Sequence, residues 1–405
     1  MKVLVLNCGS SSIKYQFIDT TTQIALAKGM VERIGMSSAV LTHTPYGKEK
    51  IRIVGEILDH SIAIEYVIAV LLSPNHGVIK DKKEIDAVGH RVVHGGETFS
   101  GSVLITDEVM NAIKENIELA PLHNPPNIKG ILAAKEHLPN TPQVGVFDTA
   151  FHIKMPPRAY LYGIPYELYR KYKIRKYGFH GTSHRYVSER AAKLVGKPIE
   201  ELKIITAHLG NGCSMAAVEG GKSIDTTMGF TPLEGLIMGT RSGDMDPSVI
   251  LYIMAKEGLS LSEANTLLNK HSGLIGISGE SSDMREIERA IQEGNKKAKN
   301  AFDVFTYRIK KYIGAYAAAM NGLDVLVFTG GIGENSFLVR KEVCSNMEYL
   351  GIKLDESRNE NVDGECLIST DDSKVKVFRI PTNEELVIAL DTEKIVSEQF
   401  NFFKG

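Results

Sequence analysis

The chain has 405 residues, of which 43% are hydrophobic and 24% charged, and its formal net charge is −2. This length and composition indicate a globular protein with two or more domains. The near-neutral charge argues against a general affinity for nucleic acid or for an anionic membrane.

The cysteines and the apolar segments point to the cytoplasm. The four cysteines lie far apart and form no CxxC pair, which argues against a zinc or redox motif and is typical of a reducing compartment. The apolar run Val3–Leu6 is too short for the core of a secretion signal. The most apolar later segment, 61–72, contains Glu65 and is too short to span a bilayer.

The first 150 residues are predicted to form an α/β domain. Its long early hairpins indicate a mixed sheet. Alternating and continuous apolar runs predict strands, and a helical period predicts helices. The predicted strands are 2–7, 12–19, 22–28, 38–43, 50–54, 85–89 and 143–147, and the predicted helices are 58–72, 107–118 and 127–137.

The rest of the chain begins again with strands. Predicted strands are 203–208, 213–218, 221–227 and 324–329, and predicted helices are 246–256, 261–270, 283–293 and 295–320. A last helix is predicted from Glu384, capped by Thr382 or Asn383. LVLNCGSSSIKYQF near the start resembles IITAHLGNGCSMAAV at 204–218, since both read strand, glycine-containing turn, strand. This repeat predicts two similar domains facing one cleft.

Three glycine-rich turns, at 9–12, 210–212 and 330–333, each follow an apolar strand. The first turn alone is equally compatible with an ordinary polar hairpin. Three such turns at strand ends favour a polyphosphate held from several sides. The glycines at 220–221 do not form a P-loop, because Ala216 stands where its first glycine would be. The glycines at 331 and 333 lack the third glycine of a dinucleotide-binding fingerprint.

Four charged or ionisable residues are predicted to lie in loops beside strands: Arg91, Asp148, His180 and Arg241. Each taken alone is more often a surface ion pair or a capped turn. Together they supply two guanidinium groups, an imidazole and a carboxylate. Such a set fits phosphoryl transfer, in which charge spread over the transferred group must be neutralised.

Nine segments carry a resemblance to a known family: LNCGSSSIKY, GHRVVHGGE, VFDTAFH, YGFHGTSHRYV, HLGNGCS, DTTMGFTPLEG, GTRSGDMDP, FTGGIGEN and TNEEL. In this order, from end to end, they resemble the acetate kinase family of the sugar kinase/Hsp70/actin superfamily. The resemblance implies an α/β fold of two duplicated ribonuclease-H-like (actin-like ATPase) domains with an interdomain cleft. Each domain would be a mixed sheet flanked by helices, one covering 1–150 with the C-terminal helix 384–405 and the other 151–383.

The resemblance also implies a Mg²⁺-dependent ATP:acetate phosphotransferase and a homodimer, with Mn²⁺ as a possible substitute metal. Catalytic roles would fall to Arg91, Asp148, His180 and Arg241, and Arg91 would also pair with the substrate carboxylate. The methyl group would lie among Val93, Leu122, Phe179 and Pro232. Asn7 and Glu384 would lie on the magnesium side. ATP would be bound by Ser10, Ser12, Lys14, His208, Leu209, Gly210, Asn211, Gly212, Asp283, Met284, Arg285, Gly331, Ile332, Gly333, Glu334 and Asn335.

Chemistry limits the role of Asp148. A carboxylic acid has a pKa of roughly 4–5 by analogy with glutamate, so the acceptor is already ionised at neutral pH and needs no base. The hypothesis is therefore direct in-line attack on the γ-phosphorus, with Asp148 orienting Mg²⁺ or arginine groups or handling a proton elsewhere. A propionate or other short-chain fatty acid kinase is the alternative within the family. A sugar kinase or a non-enzymatic ATP switch would share the fold, but Arg91 and the apolar cluster favour a carboxylate acceptor.

Overall fold

The computed structural model describes the backbone of residues 1–402 and the side chains of residues 1–399. The chain divides into two units. Unit 1 is Met1–Ile153 together with the chain from Asn383 onward, and unit 2 is Lys154–Thr382. The last three residues of the predicted helix 384–405 lie outside the described residues. Within residues 1–402, no helix is both long enough and apolar enough to cross a membrane.

Unit 1 contains a mixed eight-stranded sheet in the order β5-β4-β3-β2-β1-β6-β8-β7. The central strand β1 is antiparallel to β2 and parallel to β6, which is in turn parallel to β8. The strands are β1 Lys2–Cys8, β2 Ser12–Asp19, β3 Ile24–Glu32, β4 Ala39–Pro45, β5 Ile51–Gly55, β6 Ala87–Val92, β7 Val103–Leu104 and β8 Gln143–Phe147. The helices are α1 His60–Leu71, α2 Asp107–Glu115 and α3 Asn124–His137, with 3₁₀ turns at Lys82–Glu84, Asn116–Leu119 and Ala150–His152.

Helices cover both faces of this sheet, because successive side chains of a strand point to opposite faces. Leu4 and Leu6 of β1 lie in a core with buried residues of α1 and α3. Val3 and Val5 lie in a second core with residues of the C-terminal helix. Both faces of β1 are thus buried, which explains its continuous apolar sequence.

Unit 2 contains a mixed six-stranded sheet in the order β11-β10-β9-β12-β14-β13. Its central strand β9 is antiparallel to β10 and parallel to β12. The strands are β9 Lys203–Leu209, β10 Cys213–Glu219, β11 Lys222–Thr226, β12 Val325–Thr329, β13 Cys366–Leu367 and β14 Lys376–Arg379. The helices are α4 Pro157–Tyr160, α5 Tyr166–Tyr172, α6 Gly181–Val195, α7 Pro247–Glu257, α8 Leu261–Lys270, α9 Gly273–Ser278, α10 Met284–Gln292, α11 Lys296–Ala319, α12 Gly330–Asn335, α13 Phe337–Cys344 and α14 Glu356–Glu360, with 3₁₀ turns at Ile199–Glu201 and Glu348–Leu350.

The two sheets repeat one topology. In each sheet, an antiparallel meander of three strands is followed by two strands that run parallel to its first strand. These are β6 and β8 beside β1, and β12 and β14 beside β9. The predicted fold, two α/β units each built on a mixed sheet, is confirmed. The chain ends in α15, Glu384–Phe402, which returns to unit 1. Asn383 caps this helix, since its Oδ1 accepts from the Leu386 N–H at 3.1 Å.

Three local predictions were wrong. The third glycine turn is the start of α12, where Gly330 adopts the left-handed φ of +76° that glycine tolerates best. Arg91 lies inside β6 rather than in a loop. Helix α3 begins at Asn124 rather than at 127, because proline is tolerated in a first helical turn, where no intrahelical N–H bond is lost.

Candidate active site

The turn after β1 is held from behind by side chains. The Gly9 N–H donates to the Ser12 carbonyl at 2.8 Å, which closes the turn. The Gly9 carbonyl is bonded to His60 Nε2 at 2.7 Å. Ser10 is exposed and Ser12 is partly buried. The turn is therefore fixed in shape and open on its outer side.

Asn7 and Lys14 lie side by side at the mouth of this turn, since they are partners in the β1–β2 register. The Asn7 amide makes no hydrogen bond to another described residue and is half-buried. The Lys14 ammonium is about half exposed and forms an ion pair with Glu385 at the start of α15. The sequence did not reveal this pairing.

Arg91 and Asp148 form a bidentate ion pair at the ends of two parallel strands. Arg91 Nε donates to Asp148 Oδ1 at 3.0 Å, and Nη2 donates to Oδ2 at 2.6 Å. The strand register sets this geometry, because Val92 pairs with Phe147 and the Asp148 N–H bonds to the Val92 carbonyl. The Asp148 carboxylate raises the pKa of the Arg91 guanidinium above its ordinary value.

Helix α15 brings Glu384 to this pair. Gly89 of β6 allows close packing, because a Cβ there would lie 2.5 Å from Thr392 Oγ1 and 2.7 Å from Ile388 Cγ2. Burial raises the pKa of Glu384, while Arg91 acts in the opposite direction. Its Oε1 is buried and has no hydrogen-bond partner among the described residues.

The donors in unit 1 fit Mg²⁺. Mg²⁺ takes oxygen ligands and usually binds one or two protein groups together with water and substrate phosphates. The unpaired carboxylate oxygen of Glu384 and the amide oxygen of Asn7 are such donors. Within the described chain no group of three or more His, Cys, Asp or Glu residues is placed to hold a metal.

Three histidines cluster in unit 2. The rings of His180 and His208 stack with centroids 4.3 Å apart. The Ser214 hydroxyl lies 2.9 Å from His180 Nδ1 and 2.7 Å from His184 Nε2, so one hydroxyl orients two imidazoles. His180 precedes α6 with a left-handed φ of +55°, and its ring contacts His208 of β9 and Ser214 of β10.

Arg241 lies beside this cluster without an acidic partner in the described chain. Its Nη1 donates to the Pro232 carbonyl at 3.1 Å. A Cβ added to Gly212 would lie 3.4 Å from Arg241 Nη1 and 3.6 Å from the His180 ring, so all three line one concavity. Burial lowers the pKa of Arg241. A half-buried cation without a counter-ion is stabilised by an anionic ligand.

The turn 210–212 and the start of α12 lie together, because β9 and β12 are parallel neighbours with His208 opposite Thr329. A Cβ at Gly210 would lie 4.0 Å from the Gly331 nitrogen. At Gly331 itself a Cβ would meet nothing within 4 Å, so the helix start faces open space. Leu209 is fully buried, Ile332 and Gly333 are at least partly buried, and Asn211 and Asn335 are exposed.

The Glu334 carboxylate accepts hydrogen bonds from two backbone N–H groups. Its Oε1 accepts from the Gly330 N–H at 2.9 Å and from the Thr382 N–H at 3.1 Å. This carboxylate therefore braces the segment that the resemblance assigns to ATP.

The segment 283–285 begins α10. Asp283 caps the helix by accepting from the Arg285 N–H at 2.9 Å and also pairs with the Arg285 guanidinium. Arg285 is 86% exposed, whereas Met284 is buried. Glu288 of the same helix bonds to the Ser336 hydroxyl after α12, which ties this segment to 331–335.

The four predicted apolar residues differ in exposure. Val93 and Phe179 are buried, Pro232 is partly buried, and Leu122 is 68% exposed before α3. Val93 and Leu122 belong to unit 1, and Phe179 and Pro232 to unit 2. As a pocket for a methyl group they remain a prediction.

The sequence missed the residues that hold the predicted ones. These are His60 behind the first turn, Ser183, His184, Thr206 and Ser214 around the histidines, Glu385 opposite Lys14, and Asn127, which links two strand ends. The sequence carried no signal for this histidine network, because the start of α6 is polar and its burial is visible only in the structure.

Comparison with known proteins identifies the family of the chain. Residues 2–390 match the model of the Acetokinase family. The acetate kinase of Thermoanaerobacterium thermosaccharolyticum is 61% identical over 98% of this chain and 99% of its own.

Solved structures give the same result. The crystal structure of Porphyromonas gingivalis acetate kinase superposes with a TM-score of 0.95 at 52% identity, covering 98% of this chain and 99% of that one. A propionate kinase from Francisella tularensis superposes with a TM-score of 0.91 at 46% identity, covering 97% and 99%. The chain belongs to the acetokinase family and is a phosphotransferase of the acetate kinase type.

Proposed function

We propose that the chain transfers the γ-phosphoryl group of ATP reversibly to acetate, giving acetyl phosphate and ADP in one in-line step. Arg241 carries the proposal, because its guanidinium is half-buried beside His180 and Gly212 and lacks a described acidic partner. Charge that develops on a transferring phosphoryl group is stabilised by such a preorganised cation. His180, oriented by Ser214, would assist from the same side.

The acceptor carboxylate would bind at Arg91. Asp148 occupies the edge of that guanidinium formed by Nε and Nη2, while Nη1 makes no hydrogen bond in the described chain. A guanidinium has five N–H donors in a fixed fork, so Nη1 remains available for a second carboxylate. Since acetate is ionised at neutral pH, Asp148 serves to fix Arg91 rather than to remove a proton.

The resemblance supplies the expected nucleotide contacts within each unit. Ser10, Ser12 and Lys14 would meet the phosphates in unit 1, and the turn 208–212, the start of α10 and α12 would hold the nucleotide in unit 2. Asn7 and Glu384 would hold Mg²⁺, with Mn²⁺ as a substitute. When bound, the metal would neutralise phosphate charge and orient the γ-phosphoryl group.

The preferred acceptor acid decides between an acetate kinase and a propionate kinase within the family. One methylene in an apolar pocket changes binding by only about 1–3 kcal/mol, so propionate is the natural alternative. Hydroxylamine trapping of the acyl phosphate, with ATP and acetate, propionate or butyrate, measures specificity constants for all three acids. The largest value is expected for acetate. A larger value for propionate would favour the alternative, and no acyl phosphate from any acid would contradict the proposal.

The predicted homodimer would form through α7. This helix is largely apolar, yet none of its residues is buried within unit 2, and Leu251 and Tyr252 are 65% and 64% exposed. Apolar helix faces of this kind mark protein interfaces. A second copy of the chain is the proposed occupant. Leu251→Asp is expected to give a monomer by light scattering, whereas Leu194→Asp, another exposed leucine on α6, should leave a dimer. A dimer in both variants would show that α7 is not the dimer interface.

Two further expectations complete the proposal. The domain boundaries near residues 150 and 383 would mark the ancestral duplication that the repeated sheet topology suggests. The widely spaced cysteines, all four of them free thiols in the structure, suit a cytoplasmic location.

A further inference from the structure

The first turn of α3 carries two buried asparagines that the proposed reaction does not use. Asn124 is fully buried and Asn127 is 3% exposed. Being three residues apart on a helix, they share one face. Pro125 and Pro126 lie between them and stiffen this turn, so both amides are presented by a rigid support.

Asn127 joins the ends of the two strands that carry the unit 1 site. Its Nδ2 donates to the Cys8 carbonyl at 2.9 Å, at the end of β1. Its Oδ1 accepts from the Val93 N–H at 3.1 Å, just after β6. Only one orientation of the amide satisfies both partners, because one is an acceptor and the other a donor. The side chain thus continues the β1–β6 ladder beyond its last backbone pair.

The bond to Cys8 bears on the turn that follows. A turn that binds phosphate must present N–H groups to the anion and keep its carbonyl oxygens away. The Cys8 carbonyl is held by Asn127 and the Gly9 carbonyl by His60. Both oxygens at the start of the turn are therefore held by side chains. The neighbouring Gly130 permits this close approach, since a Cβ there would lie 2.3 Å from Cys8 Sγ.

We propose that Asn127 is a positioning residue that fixes the turn Gly9–Ser12 in its phosphate-binding shape, using the end of β6 as its anchor. The inference rests on the proposed function, in that this turn binds ATP phosphates. Loss of the amide frees the Cys8 carbonyl and lets the Cys8–Gly9 peptide rotate. The turn then loses affinity for phosphate without losing any group that touches it.

Asn124 is the matched control. It has the same residue type, helix turn and burial, and its amide bonds the His94 N–H at 3.2 Å and the His94 carbonyl at 3.0 Å. It touches the segment after β6 but not the turn after β1. Asn127→Ala and Asn124→Ala are therefore expected to lower the thermal midpoint to a similar extent, because each removes two or more buried hydrogen bonds.

Calorimetric titration with a non-hydrolysable ATP analogue and Mg²⁺, in the absence of acetate, tests the proposal on the full chain. Asn127→Ala should weaken binding about tenfold, since small misplacement of a binding group has effects of this size. Asn124→Ala should bind within about twofold of the parent. If Asn127→Ala does not fold, Asn127→Ser takes its place with a smaller loss expected.

Two results would overturn the proposal: unchanged affinity in the folded Asn127 variant, or an equal loss in the Asn124 variant. A parent chain that does not bind the analogue would instead contradict the proposed function itself. Amide hydrogen exchange gives a second readout. The turn 9–12 should exchange faster in Asn127→Ala than in the parent, and at the parent's rate in Asn124→Ala. Equal exchange in both variants would also contradict the proposal.

Discussion

Asp148 accepts hydrogen bonds from two nitrogens of Arg91, from Nε at 3.0 Å and 3.2 Å and from Nη2 at 2.6 Å. The pair is partly buried, with 2% of the Asp148 side chain and 23% of the Arg91 side chain exposed. Because the aspartate occupies one edge of the guanidinium, Arg91 can offer only its remaining edge to a substrate. The aspartate thus fixes where a carboxylate would bind.

Arg91→Ala should raise the KM for acetate strongly and leave the KM for ATP nearly unchanged, because it removes the acceptor's cation. Steady-state kinetics with each substrate varied in turn measures this. Arg285→Ala is the mirror control, since Arg285 also pairs with an aspartate but belongs to the predicted nucleotide segment 283–285. It should raise the KM for ATP alone. The reverse pattern would move Arg91 to the nucleotide side.

Arg241→Ala should lower kcat by about 10³-fold, the order seen when an arginine that stabilises a transferring phosphoryl group is lost. The loss is expected because Arg241 has no acidic partner in the described chain, so that its anionic partner would be the transferring phosphoryl group. Single-turnover measurements at saturating ATP and acetate isolate this step. A kcat within a few-fold of the parent would remove Arg241 from the catalytic set.

Ser214→Ala should lower kcat by about tenfold, because one buried hydroxyl orients both His180 and His184. Ser188→Ala is the control, since Ser188 is equally buried on α6 but bonds only to the Arg185 carbonyl. Both variants should lose some thermal stability, and only Ser214→Ala should lose activity. Equal activity losses would show that the hydroxyl has no specific role in catalysis.

The sequence predicted the strands well where the pattern is local. The alternation in β2 and the apolar run of β1 depend only on neighbours, so their bounds agree with the structure to within a residue. Helix α6 was missed because its first buried residues, Gly181 to His184, are polar and carry no apolar period. Their burial depends on β9 and β10, which are distant in sequence.

Hydrogen bonds between site side chains and distant backbone groups also could not be predicted from the sequence. Nothing in the motif containing Glu334 indicates that its carboxylate bonds the Thr382 N–H, since that partner belongs to another part of the chain. The predicted helix 127–137 begins after Pro125 and Pro126, although proline is compatible with a first helical turn. Motif resemblance supplied roles for individual residues, and the structure supplied the contacts that orient them.

We predict that the free energy of unfolding falls in mild acid because His90 is buried. Burial lowers its pKa from about 6.5 to about 4, despite its hydrogen bond to Gln143 at 2.7 Å. Between these values the unfolded chain binds more protons than the folded chain, so stability falls as pH drops below about 6.5. From about pH 7.5 to about pH 5 the histidine should cost about 2 kcal/mol of unfolding free energy.

Urea unfolding of the parent and of His90→Gln at the two pH values measures this contribution. The variant lacks the titrating group and should lose less stability in acid, by about 2 kcal/mol. Other groups titrate equally in both proteins, so the difference isolates His90. Identical losses in parent and variant would show that His90 titrates normally.

The stereochemical course at phosphorus tests the central claim, direct transfer from ATP to a carboxylate, most directly. ATP made chiral at the γ-phosphorus by oxygen isotopes would be converted to acetyl phosphate by the parent enzyme, and the configuration of the product determined. A single in-line displacement predicts inversion. Net retention would require a phosphorylated enzyme group between two displacements and would contradict the account.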